Sequence, residues 1–227
     1  MTTNRLLIAL ILLVGLGIGL PEFLSRRSVP NDPESRARRN TDGTTVINID
    51  GMPAQGADEA KVAVIEFSDY ECPYCARYAT TVFPDLKNQF ISAGKVRYVF
   101  ANFPLPNHRN AKLLAGAAIC AGQQSAYWKM HDELFGNRPK TLEELLDLGK
   151  QAGLQMQPFS QCLGEDRPIT ERIQMDQQIA REFQISGTPS FVLGSIDAQG
   201  RVVAEDIIVG AQPLPAFESA ITRLLNR

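Results

Sequence analysis

From residue 46 onward, apolar residues alternate between runs typical of buried strands and spacings typical of amphipathic helices. Three early segments, VINI, KVAVIEF and KVRYVFANFP, are rich in β-branched and aromatic residues and predict strands. Between the second and the third, apolar or aromatic residues recur every four positions, at Tyr74, Tyr78, Val82, Leu86 and Phe90. This spacing predicts one helix that begins where a buried strand ends.

The rest of the chain opens with four helical patterns, and strands return only near its end. The helical patterns are NAKLLAGAAICAGQ, SAYWKMHDELF, TLEELLDLGKQAG and ITERIQMDQQIAREF. SFVLGSI and RVVAEDIIVG then flank the turn sequence DAQG and predict a hairpin, and LPAFESAITRLL predicts a closing amphipathic helix. The predicted order is β, β, α, β, a block of helices, β, β, α, which indicates a mixed α/β fold.

The N-terminus has a different character, because fifteen uncharged residues, LLIALILLVGLGIGL, follow Arg5. As a helix they would cover roughly 22 Å, short of the ~30 Å hydrocarbon core, so a span has to include Leu24. Residues 1–24 therefore predict a transmembrane anchor or a signal segment. No small-x-small cleavage site follows, which favours an uncleaved anchor.

The residues after this segment bear on its orientation and on the tether that follows. Residues 25–45 are rich in Pro, Asn, Asp, Ser and Arg and predict a flexible linker. The positive-inside rule would place this side in the cytoplasm, because five arginines follow the apolar run: Arg26, Arg27, Arg36, Arg38 and Arg39.

Composition and net charge say little about the fold, but they disfavour one class of function. The chain has 227 residues, of which 44% are apolar, enough for one packed domain at residues 46–227. Its net charge of −2 gives no basic surface for nucleic acid.

Two of the four cysteines lie in CPYC, at the predicted junction of strand and helix. A cysteine in the first helical turn is close to free backbone N–H groups, which stabilise its thiolate, so Cys72 is expected to attack and Cys75 to resolve. Pro73 suits the first position of a helix. A zinc site is disfavoured because the other candidate ligands do not form a second close pair: Cys120, Cys162, His108 and His131.

These features together resemble one family. VIEFSDYECPYC, a helix-rich insertion and a late GTPSF are similar to the DsbA-like thiol–disulfide oxidoreductases of bacterial envelopes. The resemblance implies a thioredoxin-like fold with a helical domain inserted at about residues 105–182. Glutaredoxins also carry Pro-Tyr between their cysteines, but here Cys75 and Thr188 are 188 − 75 = 113 positions apart, far more than a glutaredoxin has.

The resemblance also assigns site residues. Thr188 and Pro189 match the loop that holds a cis proline beside the active sulfurs and pairs with an extended substrate. Glu66 matches an acidic residue beneath the cysteines, where burial would raise its pKa and allow it to exchange protons with Cys75. Cys120 and Cys162 are expected to form a second, structural disulfide, although two buried free thiols remain an alternative.

Other residues receive lesser roles. Glu71 and Tyr74 are expected to tune the redox pair, because a carboxylate before Cys72 raises its pKa and a tyrosine adds no opposing charge. His108 and His131 are interpreted as structural, and Tyr127 and Trp128 as core.

The sequence thus predicts a membrane-tethered, monomeric oxidoreductase that needs no cofactor or metal and faces the periplasm or cell exterior. Its expected partners are exported cysteine-containing proteins and a membrane protein that recycles its redox state. An envelope reductase or isomerase, or a peptide-binding chaperone on the same fold, stays an alternative. The oxidising compartment implied by a second disulfide is weighed above the arginine asymmetry.

Overall fold

The computed structural model describes residues 36–227, and within them one mixed sheet organises the domain. The strand order is β1-β2-β7-β6-β4-β5-β3, in which β4 and β5 are parallel and every other neighbouring pair is antiparallel. The strands are β1 (Ala37–Arg39), β2 (Thr45–Ile47), β3 (Ala54–Gln55), β4 (Val62–Ser68), β5 (Val96–Asn102), β6 (Ser190–Ile196) and β7 (Val202–Val209).

Eight α-helices and one π-helical turn complete the described part of the chain. The α-helices are α1 (Pro73–Thr81), α2 (Phe83–Leu86), α3 (Ala111–Gly122), α4 (Tyr127–Asn137), α5 (Leu142–Gln151), α6 (Met156–Gly164), α7 (Asp166–Glu182) and α8 (Leu214–Leu225). The π-helical turn is Lys87–Ile91 and continues α2. Helices α3 to α7 all fall between β5 and β6, at the place expected for the helical insertion.

The central strand β4 is buried along its whole length, and its residues alternate between two layers of core. Val62 and Val64 pack with α2, the π-helical turn and α8, whereas Ala63, Ile65 and Phe67 pack on the side of α7. A third apolar cluster lies among the inserted helices and includes both cysteines of the CPYC motif. The end of β4 therefore delivers the chain to the boundary between the sheet and the inserted helices.

The long helix predicted after Cys72 is divided in the structure. Pro84 has no N–H to donate within a continuous helix, so α1 ends at Thr81 and the chain continues as α2 and the π-helical turn. Tyr78, Leu86 and Phe90 are buried as the four-residue spacing predicts, but Tyr74 is 58% exposed. The prediction that Tyr74 belongs to the apolar face is wrong, because Pro73 and Tyr74 form the exposed side of the first turn of α1, whereas Cys75 and Ala76 form its buried side.

Three elements were not predicted. Strand β1 lies within residues 25–45 and pairs with β2, so the expectation of a flexible linker is wrong for Ala37–Arg39 and for Thr45, which begins β2. Strand β3 has only two residues, too few for a pattern to appear. Helix α6 carries Cys162 and is short, with Pro158 in its first turn, which made its sequence resemble a loop.

The predicted anchor or signal segment at residues 1–24 lies outside the described residues. Within residues 36–227, no helix combines the length and the apolar character needed to cross a bilayer.

Candidate active site

Cys72 caps the N-terminus of α1 at the end of the turn that follows β4. Its N–H donates to the carbonyl of Asp69 at 3.1 Å, and its own carbonyl accepts from the N–H of Ala76 at 3.1 Å. Pro73 takes the first helical position, where its missing N–H loses no hydrogen bond. The local sequence therefore places the Cys72 sulfur next to the free N–H groups of the first helical turn.

The surroundings of Cys72 favour its thiolate. The side chain is only 3% exposed, and its sulfur lies 3.5 Å from the carbonyl oxygen of Thr188. The pKa of Cys72 is lowered to about 5, mainly by the hydrogen bond from the Cys75 thiol, with help from the Thr188 side chain and from the N–H groups of Tyr74 and Cys75. Burial opposes this shift but does not cancel it.

Cys75 has the opposite character. It lies one turn further into α1, is fully buried, and is a free thiol like Cys72. Burial raises the pKa of Cys75 well above its usual value, and the hydrogen bond to Cys72 and the negative charge of Glu66 raise it further. The pair therefore consists of one sulfur that ionises readily and one that holds its proton.

Glu66 lies on β4 with its side chain on the same side of the sheet as Val62 and Val64, as the alternation of the strand predicts. It is 1% exposed, and its Oε2 accepts a hydrogen bond from the Tyr98 hydroxyl at 2.5 Å. The Tyr78 hydroxyl lies 3.2 Å from that of Tyr98, and Glu66 Oε1 has no hydrogen-bond partner among the described residues. Burial raises the pKa of Glu66 to about 7.

The loop before β6, which contains Thr188 and Pro189, lies against the sulfur of Cys72. The Thr188–Pro189 peptide bond is cis, as the sequence predicts. The Pro189 carbonyl accepts from the N–H of Gly210 at 2.8 Å, and the Ser190 hydroxyl donates to the Gly187 carbonyl at 2.8 Å. These bonds hold the loop so that the Thr188 carbonyl faces Cys72.

Asp69 and His108 belong to this site but were not recognised together from the sequence. Asp69 is buried, and its carboxylate accepts from the N–H of Glu71 at 2.7 Å and from the N–H of Leu105 at 2.8 Å. Its Oδ2 also lies 2.8 Å from Nδ1 of His108. The available signal was an acidic residue three positions before Cys72, but its histidine partner is 108 − 69 = 39 positions away, and no local pattern links them.

Glu71 and Tyr74, the two residues expected to tune the redox pair, make different contacts. The Glu71 carboxylate accepts from the N–H of Asn110 at 2.8 Å, just before α3, and the Glu71 carbonyl accepts from Arg138. Glu71 therefore ties the active-site turn to the inserted helices in addition to carrying a charge. The exposed ring of Tyr74 lies 5.3 Å from the guanidinium of Arg77, a cation–π contact on the surface of α1.

Cys120 and Cys162 form a disulfide that joins α3 to α6, as predicted, with an S–S distance of 2.04 Å. Both are buried among the inserted helices. His131 is buried on α4 within contact of several aromatic rings, including Phe100 and Phe135. Burial lowers the pKa of His131, in agreement with its interpretation as a structural residue.

A vicinal dithiol at a strand-to-helix turn, faced by a cis-proline loop, defines a thiol–disulfide oxidoreductase of thioredoxin fold. A family model described as Thioredoxin matches residues 49–207. A Bacillus anthracis protein named "Probable disulfide bond formation protein D" is 32% identical over 151 residues, which cover 62% of this chain and 69% of that protein. The chain belongs to the thioredoxin family, as one of its DsbA-like oxidoreductases.

Solved structures agree on the fold. BdbD from Bacillus subtilis in its oxidised form has a TM-score of 0.68 and 23% identity, covering 79% of this chain and 96% of that one. The α-DsbA1 of Wolbachia pipientis has a TM-score of 0.68 and 20% identity, covering 79% and 93%. The expectation of a thioredoxin-like α/β fold is therefore confirmed for the described domain.

Proposed function

We propose that this protein introduces disulfide bonds into exported proteins by transferring the Cys72–Cys75 disulfide to pairs of substrate cysteines. The observation that supports this direction most strongly is the contrast between the two sulfurs, with the pKa of Cys72 at about 5 and that of Cys75 well above its usual value. A stable Cys72 thiolate stabilises the reduced, dithiol form of the protein. Reduction of the Cys72–Cys75 disulfide is therefore favoured, which makes the disulfide form a stronger oxidant.

The exchange proceeds in two balanced steps. A substrate thiolate attacks the sulfur of Cys72, which forms a mixed disulfide and releases Cys75 as a thiolate that must take up a proton. A second substrate thiolate then attacks the substrate sulfur of the mixed disulfide, which forms the substrate disulfide and releases Cys72 as a thiolate. The substrate loses two electrons and the protein gains them, and the low pKa of Cys72 makes it a good leaving group.

Glu66 is the proposed proton donor for Cys75. With its pKa raised to about 7, the buried carboxyl holds a proton near neutral pH and can transfer it when the Cys75 thiolate forms. In the reverse direction, when Cys75 has to attack, the carboxylate can accept the proton. Tyr98 and Tyr78 fix the orientation of the carboxyl through their hydroxyl groups.

A substrate chain would lie across the cis-proline loop, where the backbone of Thr188 can pair with an extended segment. Large apolar side chains are exposed on α1 and β7, at Tyr74, Ile207 and Val209, and Val209 pairs with Ser190 directly after Pro189. The exposed side chains of Tyr74, Ile207 and Val209 give an unfolded substrate an apolar surface to bind.

We further propose the setting of this reaction. Residues 1–24 would anchor the domain to the membrane and residues 36–227 would act in the periplasm or at the cell exterior, where exported proteins acquire their disulfides. A disulfide-carrying membrane protein would reoxidise the Cys72–Cys75 dithiol after each turnover, and the domain would act as a monomer.

The test is oxidative folding of a reduced, unfolded protein whose activity depends on its disulfides. The disulfide form of the full chain should restore activity in proportion to the amount added, and Cys72→Ser should abolish the effect. Given a substrate protein that already holds a disulfide, Cys75→Ser should instead accumulate a mixed disulfide, because the Cys72 thiolate attacks that disulfide, releases one substrate thiolate, and finds no second active-site thiol to resolve the product. If the dithiol form reduces an insulin disulfide readily and the disulfide form fails to oxidise the test protein, the protein is a reductase.

A further inference from the structure

The chain has two histidines, and His108 is the one whose imidazole hydrogen-bonds to the active-site turn, through Asp69. Its Nδ1 lies 2.8 Å from Oδ2 of Asp69, whose side chain is fully buried. The backbone carbonyl of the same aspartate accepts the N–H of Cys72 at 3.1 Å. One residue therefore fixes both the imidazole of His108 and the backbone of the reactive cysteine.

His108 lies on the wall of an open cleft of about 300 Å³ between this turn and the inserted helices. The negative groups that act on His108 are Asp69, Glu71 and the sulfur of Cys72. Two basic residues, Arg138 and Lys140, line the same cleft. Partial burial lowers the pKa of His108, but the hydrogen bond and charge of Asp69, followed by the charges of Cys72 and Glu71, outweigh it and raise the pKa.

Neither residue between the two cysteines can place a cation beside the reactive sulfur. Pro73 has no ionisable group, and Tyr74 is exposed and faces Arg77. Arg77, the one cationic residue of α1, lies over the exposed ring of Tyr74. The segment between β5 and α3 presents another cation-forming group, His108, which is hydrogen-bonded to the active-site turn through Asp69.

We propose that His108, held by Asp69, is the residue whose imidazolium stabilises the Cys72 thiolate and so strengthens the protein as an oxidant. This inference rests on the proposed function, in which Cys72 is the reactive sulfur. His108 is a positioning residue in this sense, because it acts on the substrate only through Cys72. Asp69 in turn keeps His108 oriented and protonated, so the effect of His108 on Cys72 depends on Asp69.

The coupling between the two groups is reciprocal, since a thiolate that favours the imidazolium is favoured by it to the same extent. Oxidation of Cys72 to the disulfide removes the negative charge next to His108. The pKa of His108 should therefore be higher in the dithiol form than in the disulfide form. A residue that served only to hold the loop would show no dependence on the redox state.

The first measurement is an NMR titration of the two histidine ring protons in the unmodified full chain, in both redox forms. The His108 signal should titrate about half a pH unit higher in the dithiol form, while His131 serves as the internal control. Equal values for His108 in both forms would overturn the proposal. This measurement needs no variant, so a folding defect cannot obscure it.

The second measurement uses His108→Gln, which can still hydrogen-bond to Asp69 but carries no charge. The pKa of Cys72, followed by thiolate absorbance, should rise by about half a unit. The equilibrium constant with glutathione should change threefold toward weaker oxidation, or about 15 mV at 29.6 mV per tenfold. Lys140→Gln, which removes a cation from the same cleft, is the matched control and should change neither value.

The two proposals fail in different ways. Rapid alkylation of the dithiol form at mildly acidic pH should label Cys72. If Cys75 is labelled instead, the proposed function fails. If Cys72 is labelled but His108→Gln leaves its pKa unchanged, or if Lys140→Gln shifts it equally, only the role of His108 is wrong.

Discussion

At the scale of single residues, the active site depends on ionisable groups with shifted pKa values. Burial and neighbouring groups raise the pKa of some of these residues and lower the pKa of others. Glu66 and Cys75 lose contact with water and hold their protons, whereas Cys72, almost as inaccessible, gains enough hydrogen bonds to release its proton. Such a separation of pKa values within a few residues of one another is what an exchange reaction near neutral pH needs.

Glu66→Gln tests the buried carboxyl through its effect on stability. The folded-state pKa of about 7 lies above the ordinary value of 4.5, so between these values the folded protein holds a proton that the unfolded chain has released. Stability should fall as pH rises from 4.5 to 7, by up to about 3 kcal/mol at 1.36 kcal/mol per unit. Glu66→Gln should remove this fall, as measured by urea unfolding at several pH values.

The comparison is best made in a Cys72→Ser/Cys75→Ser background. No active-site sulfur then titrates, no reductant is needed, and the Cys120–Cys162 disulfide stays intact. Parallel pH profiles with and without Glu66→Gln would show that Glu66 ionises in the folded protein as easily as in the unfolded chain.

Tyr74→His tests whether a cation in the first turn of α1 changes the redox balance. Position 74 is exposed and adjacent to the N–H groups that face Cys72, so an imidazolium there should stabilise the thiolate. A gain of ~1 kcal/mol would raise the reduction potential by roughly 20 mV. The potential is measured against glutathione at pH 6, with Tyr74→Phe as the neutral control. Equal potentials for the two variants would mean that this position lies too far into solvent to act.

The sequence was informative about residues whose chemistry is local. Cys72, Cys75 and Pro73 could be placed because the strand, the turn and the first helical turn are contiguous, whereas Glu66 was assigned through the resemblance to DsbA-like oxidoreductases, on a strand predicted to be buried. The link between Asp69 and His108 could not be predicted, because it depends on how the segment after β5 folds back over the turn.

At the scale of elements, the inserted helices were predictable as a block but not in every member. Long periodic segments became α3, α4, α5 and α7, whereas α6 and the two-residue β3 were too short to carry a pattern. The division of the helix after Cys72 follows from Pro84, whose effect outweighs the continuous four-residue spacing. The disulfide between α3 and α6 compensates for the weak local signal of α6 by fixing it to a helix that forms readily.

Replacing this disulfide should therefore weaken the inserted domain without changing the redox pair. The Cys120→Ala/Cys162→Ala variant loses a cross-link across a sequence separation of 42 residues. Loop-closure entropy predicts a loss of roughly 3 to 4 kcal/mol in the free energy of unfolding. Urea unfolding without reductant measures this loss, and equilibration with glutathione should give an unchanged potential for Cys72 and Cys75. A change in potential would mean that the two disulfides are coupled through α3 or α4.

At the scale of the whole molecule, the redox state and the folding equilibrium are linked through the charge of one sulfur. In the dithiol form, Cys72 has a pKa of about 5 in the folded protein against an ordinary value of 9.0. Between these values the unfolded chain binds a proton that the folded protein does not. The stability of the dithiol form should therefore rise with pH across this range, and the contribution is lost as pH falls through 5. In the disulfide form Cys72 does not titrate.

The difference in unfolding free energy, dithiol minus disulfide, should accordingly grow between pH 5 and pH 8.5. Glu66 has the opposite pH dependence, but it is present in both redox forms, so taking the difference removes most of its contribution. Measurements in the Cys120→Ala/Cys162→Ala background ensure that only one cysteine pair changes state. Urea midpoints at pH 5, 7 and 8.5 would supply the values.

A thermodynamic cycle connects this stability difference to function. The unfolding free energy of the dithiol form minus that of the disulfide form equals the free energy by which folding favours reduction of the disulfide. Folding therefore makes the disulfide a stronger oxidant by that same free energy. The potential measured against glutathione should therefore rise, relative to that of the unfolded chain, over the same pH range in which the stability difference grows. If the stability difference stays constant with pH, then Cys72 is not held as a thiolate, and its ionisation cannot be what drives disulfide transfer to the substrate.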